Sequence, residues 1–284
     1  MMASAIEIGR VGIWSRELRF HADRGDALDA AAELEELGYG ALWIPDVGGD
    51  VLGAARELLD ATRTVPIATG ILNIWMHDPA EVASGAAALG PRFLLGLGAS
   101  HSAVVDAQEP GRYARPLSTM VAYLDALDAS SPGPSQRVLA ALGPRMLELA
   151  RDRAAGAHPY LVTPEHTAIA RETLGPDALL APEQSVTLER DLDVARAFVT
   201  DYLRLPNYVN NLRRLGFDDT DLAGAPSDRL VRALVATGPP EEIAKRVAEH
   251  HAAGADHVTV QVIGAGETLP REAWRELAPA LLRG

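Results

Sequence analysis

The chain has 284 residues, a hydrophobic fraction of 48% with only 5% aromatics, and a formal net charge of −13. Such acidity repels a phosphate backbone and argues against a nucleic-acid partner. No apolar run reaches the roughly 20 residues of a membrane span, and Glu7 and Arg10 break the N-terminal segment where a signal peptide needs continuous hydrophobicity, so a cytoplasmic protein without a membrane partner is expected. The absence of cysteine excludes disulfides, thiolate nucleophiles and cysteine metal sites, and leaves chemistry to histidine, carboxylates, backbone groups or a cofactor.

In chain order, eight short β-like runs occupy residues 7–15, 39–46, 65–74, 93–100, 138–143, 157–163, 178–188 and 257–263. Amphipathic helical patterns separate them at 27–37, 51–62, 80–89, 116–128 and 145–154, several closed by a glycine. Alternating β and α units require a parallel sheet. Eight of them favour a closed (β/α)8 TIM barrel over an open dinucleotide-binding sheet, because Gly96-Leu97-Gly98 lacks the third glycine of that fingerprint. Residues 129–136, with Pro132, Gly133 and Pro134, read as a loop. Residues 191–236 are largely helical and longer than one barrel helix, so a helical insertion at about 190–235 is expected before the last strand of a single domain spanning 1–284.

A barrel of this kind gathers its active site at the C-terminal ends of its strands. Those ends supply Trp14 and Ser15, Asp46 and Val47, Gly70, Ile71 and Asn73, Ser100 and His101, Gly143 and Arg145, His158, Thr163 and His166, and Glu183. His101 is suited to proton transfer near neutral pH, or else is a structural loop histidine. Asp46 is a candidate ligand contact or a helix N-cap, and Asn73 a hydrogen-bonding group or a turn former. Leu142-Gly143-Pro144-Arg145 leads from strand into helix, where glycine admits close approach and free N–H groups favour an anion; an ordinary turn has the same sequence. Trp14 and Trp75 either wall an aromatic substrate pocket or pack in the core. His158 and His166 lack a convincing third metal ligand, so no metal is expected. His250-His251 reads as a solvated helix face.

The segments Tyr39-Gly-Ala-Leu-Trp-Ile-Pro-Asp46, Ala68-Thr-Gly-Ile-Leu-Asn73, Arg92-Phe-Leu-Leu-Gly-Leu-Gly98 and Gly254-Ala-Asp-His-Val258 together resemble the luciferase-like monooxygenase superfamily, closest to its F420-dependent branch. The resemblance runs from about Ile8 to Val262 and is weakest between 190 and 235. It implies an oxidoreductase that transfers hydride between the deazaflavin coenzyme F420 and a small organic substrate, in a homodimer. It also implies a non-prolyl cis peptide at Gly70-Ile71 that supports the coenzyme ring, with Asp46, Asn73 and Gly98 nearby, Gly143 and Arg145 toward its phosphate, and Thr163 near ligand. His101 stands where some relatives carry Glu. Val47 stands where the sugar-phosphate and alcohol dehydrogenases carry a catalytic His, and His166 where glucose-6-phosphate-specific members carry Lys, which disfavours a phosphorylated sugar. Two alternatives stay open: an FMN-dependent monooxygenase of the same superfamily, and a non-catalytic barrel that binds coenzyme or a partner. The substrate itself is not legible.

Overall fold

A computed structural model describes residues 6–129 and 133–282. Eleven strands, all parallel, make one curled sheet: β1 (Val11–Trp14), β2 (Leu42–Ile44), β3 (Ile67–Thr69), β4 (Leu72–Asn73), β5 (Phe93–Gly98), β6 (Arg137–Leu139), β7 (Gly156–Ala157), β8 (Leu179–Leu180), β9 (Glu183–Thr187), β10 (Val235–Thr237) and β11 (Val258–Val262). Their spatial order is β10-β9-β11-β1-β2-β3-β5-β6-β7-β8, with β4 against β5. β1 thus joins the last strand in sequence, through Val11 opposite Val258, to the second, through Ile13 opposite Leu42. Most strand residues are buried, as a parallel sheet covered by helices demands. The main core fills the space between strands and helices with residues such as Leu34, Leu58, Leu124 and Trp274. The expected helices are present as Arg24–Leu37, Val51–Ala61, Pro79–Leu89, Pro116–Asp128 and Pro144–Arg153.

All eight expected strands end earlier or begin later than their β-like runs, and in three of them the local reason is plain. The third splits at Gly70-Ile71 into β3 and β4. There the Thr69 hydroxyl, at 2.8 Å from both groups, donates to Gly96 O and accepts from Gly96 N, replacing the backbone partner that the bulge removes. The seventh splits at Ala181-Pro182, since proline has no N–H to give the ladder. The sixth stops at Ala157, two residues before Pro159. Between β9 and β10 lie four helices, Asp193–Tyr202, Pro206–Arg214, Asp219–Leu222 and Asp228–Leu234, with their own apolar cluster around Val199, Tyr208, Leu212 and Leu230. β10 itself, which follows them and pairs with β9, was not anticipated. Of the loop expected at 129–136, Pro134–Gln136 is a short 3-10 turn, while residues 130–132 lie outside the described part.

His250 corrects the reading of a solvated pair. It is fully buried on helix Pro240–Ala252, with its Nδ1 2.8 Å from Thr167 Oγ1 and its Nε2 3.0 Å from Gln184 Oε1. Burial pushes its pKa down to about 3. No helix among the described residues is long and apolar enough to cross a membrane.

Candidate functional site

The C-terminal strand ends open on a cavity of about 710 Å³, within the size range of small-molecule sites. Trp14, Asp46, Gly70, Ile71, Asn73, His101, Gly143 and His158 all line it, from seven different strand ends. The helices after β9 add Tyr202, Leu205, Asn207 and Tyr208.

Asp46 follows β2 and has no exposed side-chain surface. Its Oδ2 accepts from Asn73 N at 3.0 Å and faces His77 Nε2 at 2.7 Å, while its Oδ1 accepts from Gly48 N at 3.3 Å and from Arg19 at 3.5 Å. It is not an N-cap, because Asp50 caps the following helix through Gly53 N at 2.8 Å. The carboxylate instead ties the end of β2 to the end of β4. Asn73 turns the chain, its Oδ1 accepting from Trp75 N at 3.1 Å.

The Gly70-Ile71 peptide is cis, as the resemblance implied. Gly70 O accepts from the Trp14 indole at 2.8 Å, and a Cβ on Gly70 would lie 2.6 Å from that nitrogen. Gly96 and Gly98 serve the same bulge from the neighbouring strand. A Cβ on Gly96 would meet Thr69 O at 1.9 Å, and one on Gly98 would meet Ile71 Cδ1 at 2.4 Å. Gly98 therefore sits behind Ile71 and not on the cavity surface.

His101 follows Ser100, a non-glycine residue held at φ 55° in the left-handed region, and begins the helix Ser102–Gln108. Its Nδ1 lies 2.9 Å from Asn207 Oδ1, and its ring packs 5.2 Å from that of Tyr208. Burial lowers its pKa, against a smaller upward pull from Asn207. The neutral tautomer that donates from Nδ1 to Asn207 leaves the Nε2 lone pair free.

His158 donates from Nδ1 to Ala181 O at 2.7 Å and stacks on Trp43 with centroids 4.3 Å apart. Its Nε2 has no partner, and burial pushes its pKa down to about 4. The ring is neutral, and its free nitrogen is sealed behind Gly70, where a Cβ would lie 3.2 Å from it.

The remaining sequence candidates stand behind the wall. His166 is buried, with Nε2 at 2.9 Å from Leu142 O, so it supports the Leu142-Gly143 turn from below. Thr163 caps helix Pro164–Leu174, accepting from His166 N at 3.5 Å. Trp75 donates its indole N–H to Ala99 O at 2.7 Å. Arg145 is exposed and off the cavity. His158 and His166 each spend one ring nitrogen on a carbonyl, and no group of three or more His, Asp or Glu among the described residues is arranged to hold a metal ion.

Sequence reasoning missed Arg214, His77 and the phenols Tyr160, Tyr202 and Tyr208. Gly143 begins helix Pro144–Arg153 without a side-chain cap, and a Cβ there would meet only the Arg214 guanidinium, at 3.7 Å and beyond. The turn is thus open and backed by a cation; Pro144 carries no N–H and Met146 N donates to Gly143 O at 3.1 Å, so Arg145 N is the one donor that the helix start leaves without a backbone partner among the described residues.

Glu183, on β9, is fully buried with no cationic partner. Its oxygens accept from Ser185 Oγ at 2.6 Å and Leu161 N at 3.1 Å, and burial raises its pKa to about 7. A raised carboxyl binds its proton more tightly in the folded state. That contribution to stability is complete below the unfolded value near 4.5 and is lost as pH rises through about 7. Glu183→Gln, which mimics the protonated acid, is therefore expected to match the parent near pH 4.5 and to exceed it by about 3 kcal/mol at pH 8, at ~1.4 kcal/mol per unit. Urea midpoints at both values check this; identical pH dependence in the two proteins would show that Glu183 stays ionised.

An all-parallel, curled α/β sheet with a cavity at its strand ends is the arrangement in which barrel enzymes hold small molecules. The family model for luciferase-like monooxygenases matches residues 15–131, which bears out the resemblance over that stretch. No curated protein sequence matches. Among solved structures, an F420-dependent secondary alcohol dehydrogenase in complex with an F420-acetone adduct aligns with TM-score 0.71 at 15% identity, over 96% of this chain and 99% of its own. The coenzyme F420 dependent tetrahydromethanopterin reductase from Methanopyrus kandleri aligns with TM-score 0.75 at 16% identity, over 98% and 99%. The oxygenating constituent of 3,6-diketocamphane monooxygenase from Pseudomonas putida, in complex with FMN, aligns with TM-score 0.67 at 11% identity, over 97% and 96%. The fold is shared across neighbours that carry either coenzyme.

Proposed function

We propose that the chain is a closed (β/α)8 barrel, with residues 190–235 inserted before its last strand, that binds coenzyme F420 and catalyses hydride transfer to or from a small organic substrate. The convergence of Asp46, Gly70, Ile71, Asn73 and Gly143 with His101 on one cavity carries this reading. The residues fit the group. Gly98 leaves room for Ile71 to lie flat as a ring support, Asp46 fixes the neighbouring strand ends, and Gly143 with Arg214 forms an open anion-binding turn for a phosphate. When bound, the deazaflavin supplies the two-electron hydride chemistry. The protein's part is to position the reactants, with His101 moving the proton through Nε2. Thr163 and His166 act by holding the turn at Gly143, Trp75 by fixing the backbone at Ala99, and Arg145 by adding positive charge outside it.

F420 is expected to bind more tightly than FMN, as measured by fluorescence titration of the purified protein. Preferential FMN binding that F420 cannot displace would transfer the site to the monooxygenase reading, which the FMN-bound neighbour shares in fold. Tight F420 binding without turnover on carbonyl, imine or alkene substrates would favour a binding protein instead. Val47, 62% exposed beside Asp46, is the feature that reading uses.

A further inference from the structure

Trp14, expected at a pocket wall, is joined there by three phenols that sequence reasoning missed, and the wall they make is aromatic and continuous. Trp14 and Tyr160 lie 5.5 Å apart, Tyr160 and Tyr202 5.4 Å, and Tyr202 and Tyr208 5.3 Å edge to face. None of the residues lining the cavity is Lys or Arg. Asp46 is enclosed by its donors, and Asp201 is exposed at the rim. This surface favours an uncharged apolar ring.

Within the aromatic wall itself, most hydroxyls are already used. Tyr160 donates to Gln261 Oε1 at 2.6 Å and accepts a hydrogen bond from the Tyr202 hydroxyl at 2.8 Å, so those two hydroxyl donors are spent within the wall. The Tyr208 hydroxyl has no protein partner among the described residues, yet it is not among the sealed polar atoms, so it reaches the cavity. Beside it, His101 has given Nδ1 to Asn207 and keeps Nε2. One helix, Pro206–Arg214, therefore carries Tyr208 and, through Asn207, holds His101.

Building on the reading of this cavity as a coenzyme and substrate site, we propose that Tyr208 and His101 form one oxygen-recognition pair, and that the substrate is a neutral apolar ring compound bearing a ketone or secondary alcohol. Tyr208 donates to the substrate oxygen in either form. His101 Nε2 accepts from the alcohol.

The test uses three ligands of the same size, acetophenone, 1-phenylethanol and ethylbenzene, with affinities measured by ligand-detected NMR on the coenzyme-free protein. The ketone and the alcohol are expected to bind at least threefold more tightly than the hydrocarbon. Tyr208→Phe should weaken both oxygenated ligands about three- to tenfold, the range of one neutral hydrogen bond, and leave ethylbenzene unchanged. The carbonyl carbon of labelled acetophenone should lie further downfield when bound to the parent protein than when bound to Tyr208→Phe, a comparison in which the free ketone's hydrogen bonds to water cancel. Equal affinities for ketone and hydrocarbon, an equal loss of all three ligands in Tyr208→Phe, or the same carbonyl shift in both proteins would overturn the proposal. No coenzyme enters these measurements, so their outcome is separate from that of the F420 and FMN titrations.

Discussion

Gly96→Ala is expected to lose about 3 kcal/mol of stability or more, the upper range of overpacking costs, and with it the cavity at the strand ends. The added methyl would lie 1.9 Å from the carbonyl oxygen of Thr69. That oxygen is main chain in the middle of a buried parallel sheet, so neither neighbour moves without breaking the pairing of β3 with β5 at Ile67–Phe93 and Ala68–Leu94. The same site holds the two hydrogen bonds that the Thr69 hydroxyl makes with Gly96, donating to its O and accepting from its N, and separation of the strands would expose both. Thr69→Val keeps the volume and removes only those bonds. It should cost about 1–3 kcal/mol for each buried backbone group left unpaired. Denaturant midpoints for the two variants separate the steric effect from the hydrogen-bonding one. A Gly96→Ala protein as stable as its parent would mean that the bulge at Gly70-Ile71 is more yielding than its packing indicates.

Glycine spacing made this region legible in the sequence, although the reason for each glycine was not. Gly70, Gly96 and Gly98 marked a place where backbone approaches something closely, and the closest partners prove to be one another's strands and the Trp14 indole. The eight β-like runs and the intervening helices were readable because burial on both strand faces and on one helix face leaves a periodic trace. The ring of strand-end residues followed from that order. Tyr202, Asn207, Tyr208 and Arg214 were not readable as site residues. They reach the cavity from helices whose placement depends on tertiary packing around Val199, Leu212 and Leu230, and no local pattern reports where a helix docks. His250 was legible but misjudged. Ile243, Val247 and His250 recur at helical spacing on one buried face, and the polar neighbours drew the residue to the wrong side. The same packing turned Thr163 and His166 inward to hold a turn, although their positions at a strand exit gave them the look of ligand contacts.

His101→Ala is expected to slow turnover about 10²- to 10⁴-fold, the usual worth of a positioned acid–base group, with coenzyme affinity held within about threefold of the parent. The expectation rests on placement, since the imidazole stands at the cavity wall after β5 with one nitrogen free, and His101→Ala leaves the Gly70-Ile71 support and the Gly143 turn in place. Burial keeps the ring neutral at neutral pH by lowering its pKa. In the direction of alcohol oxidation the neutral ring is the competent form, so kcat/KM should rise with pH through a value below the ordinary 6.5. Asn207→Asp places a carboxylate where the amide oxygen now lies 2.9 Å from Nδ1. An opposite charge that close favours the protonated ring and should move the limb upward by about one unit or more. A purely structural histidine would leave the limb where it was and change the rate uniformly across the range. If Asn207→Asp does not move the pH profile, or His101→Ala leaves the chemical step unchanged in single-turnover measurements, the proton passes through another group.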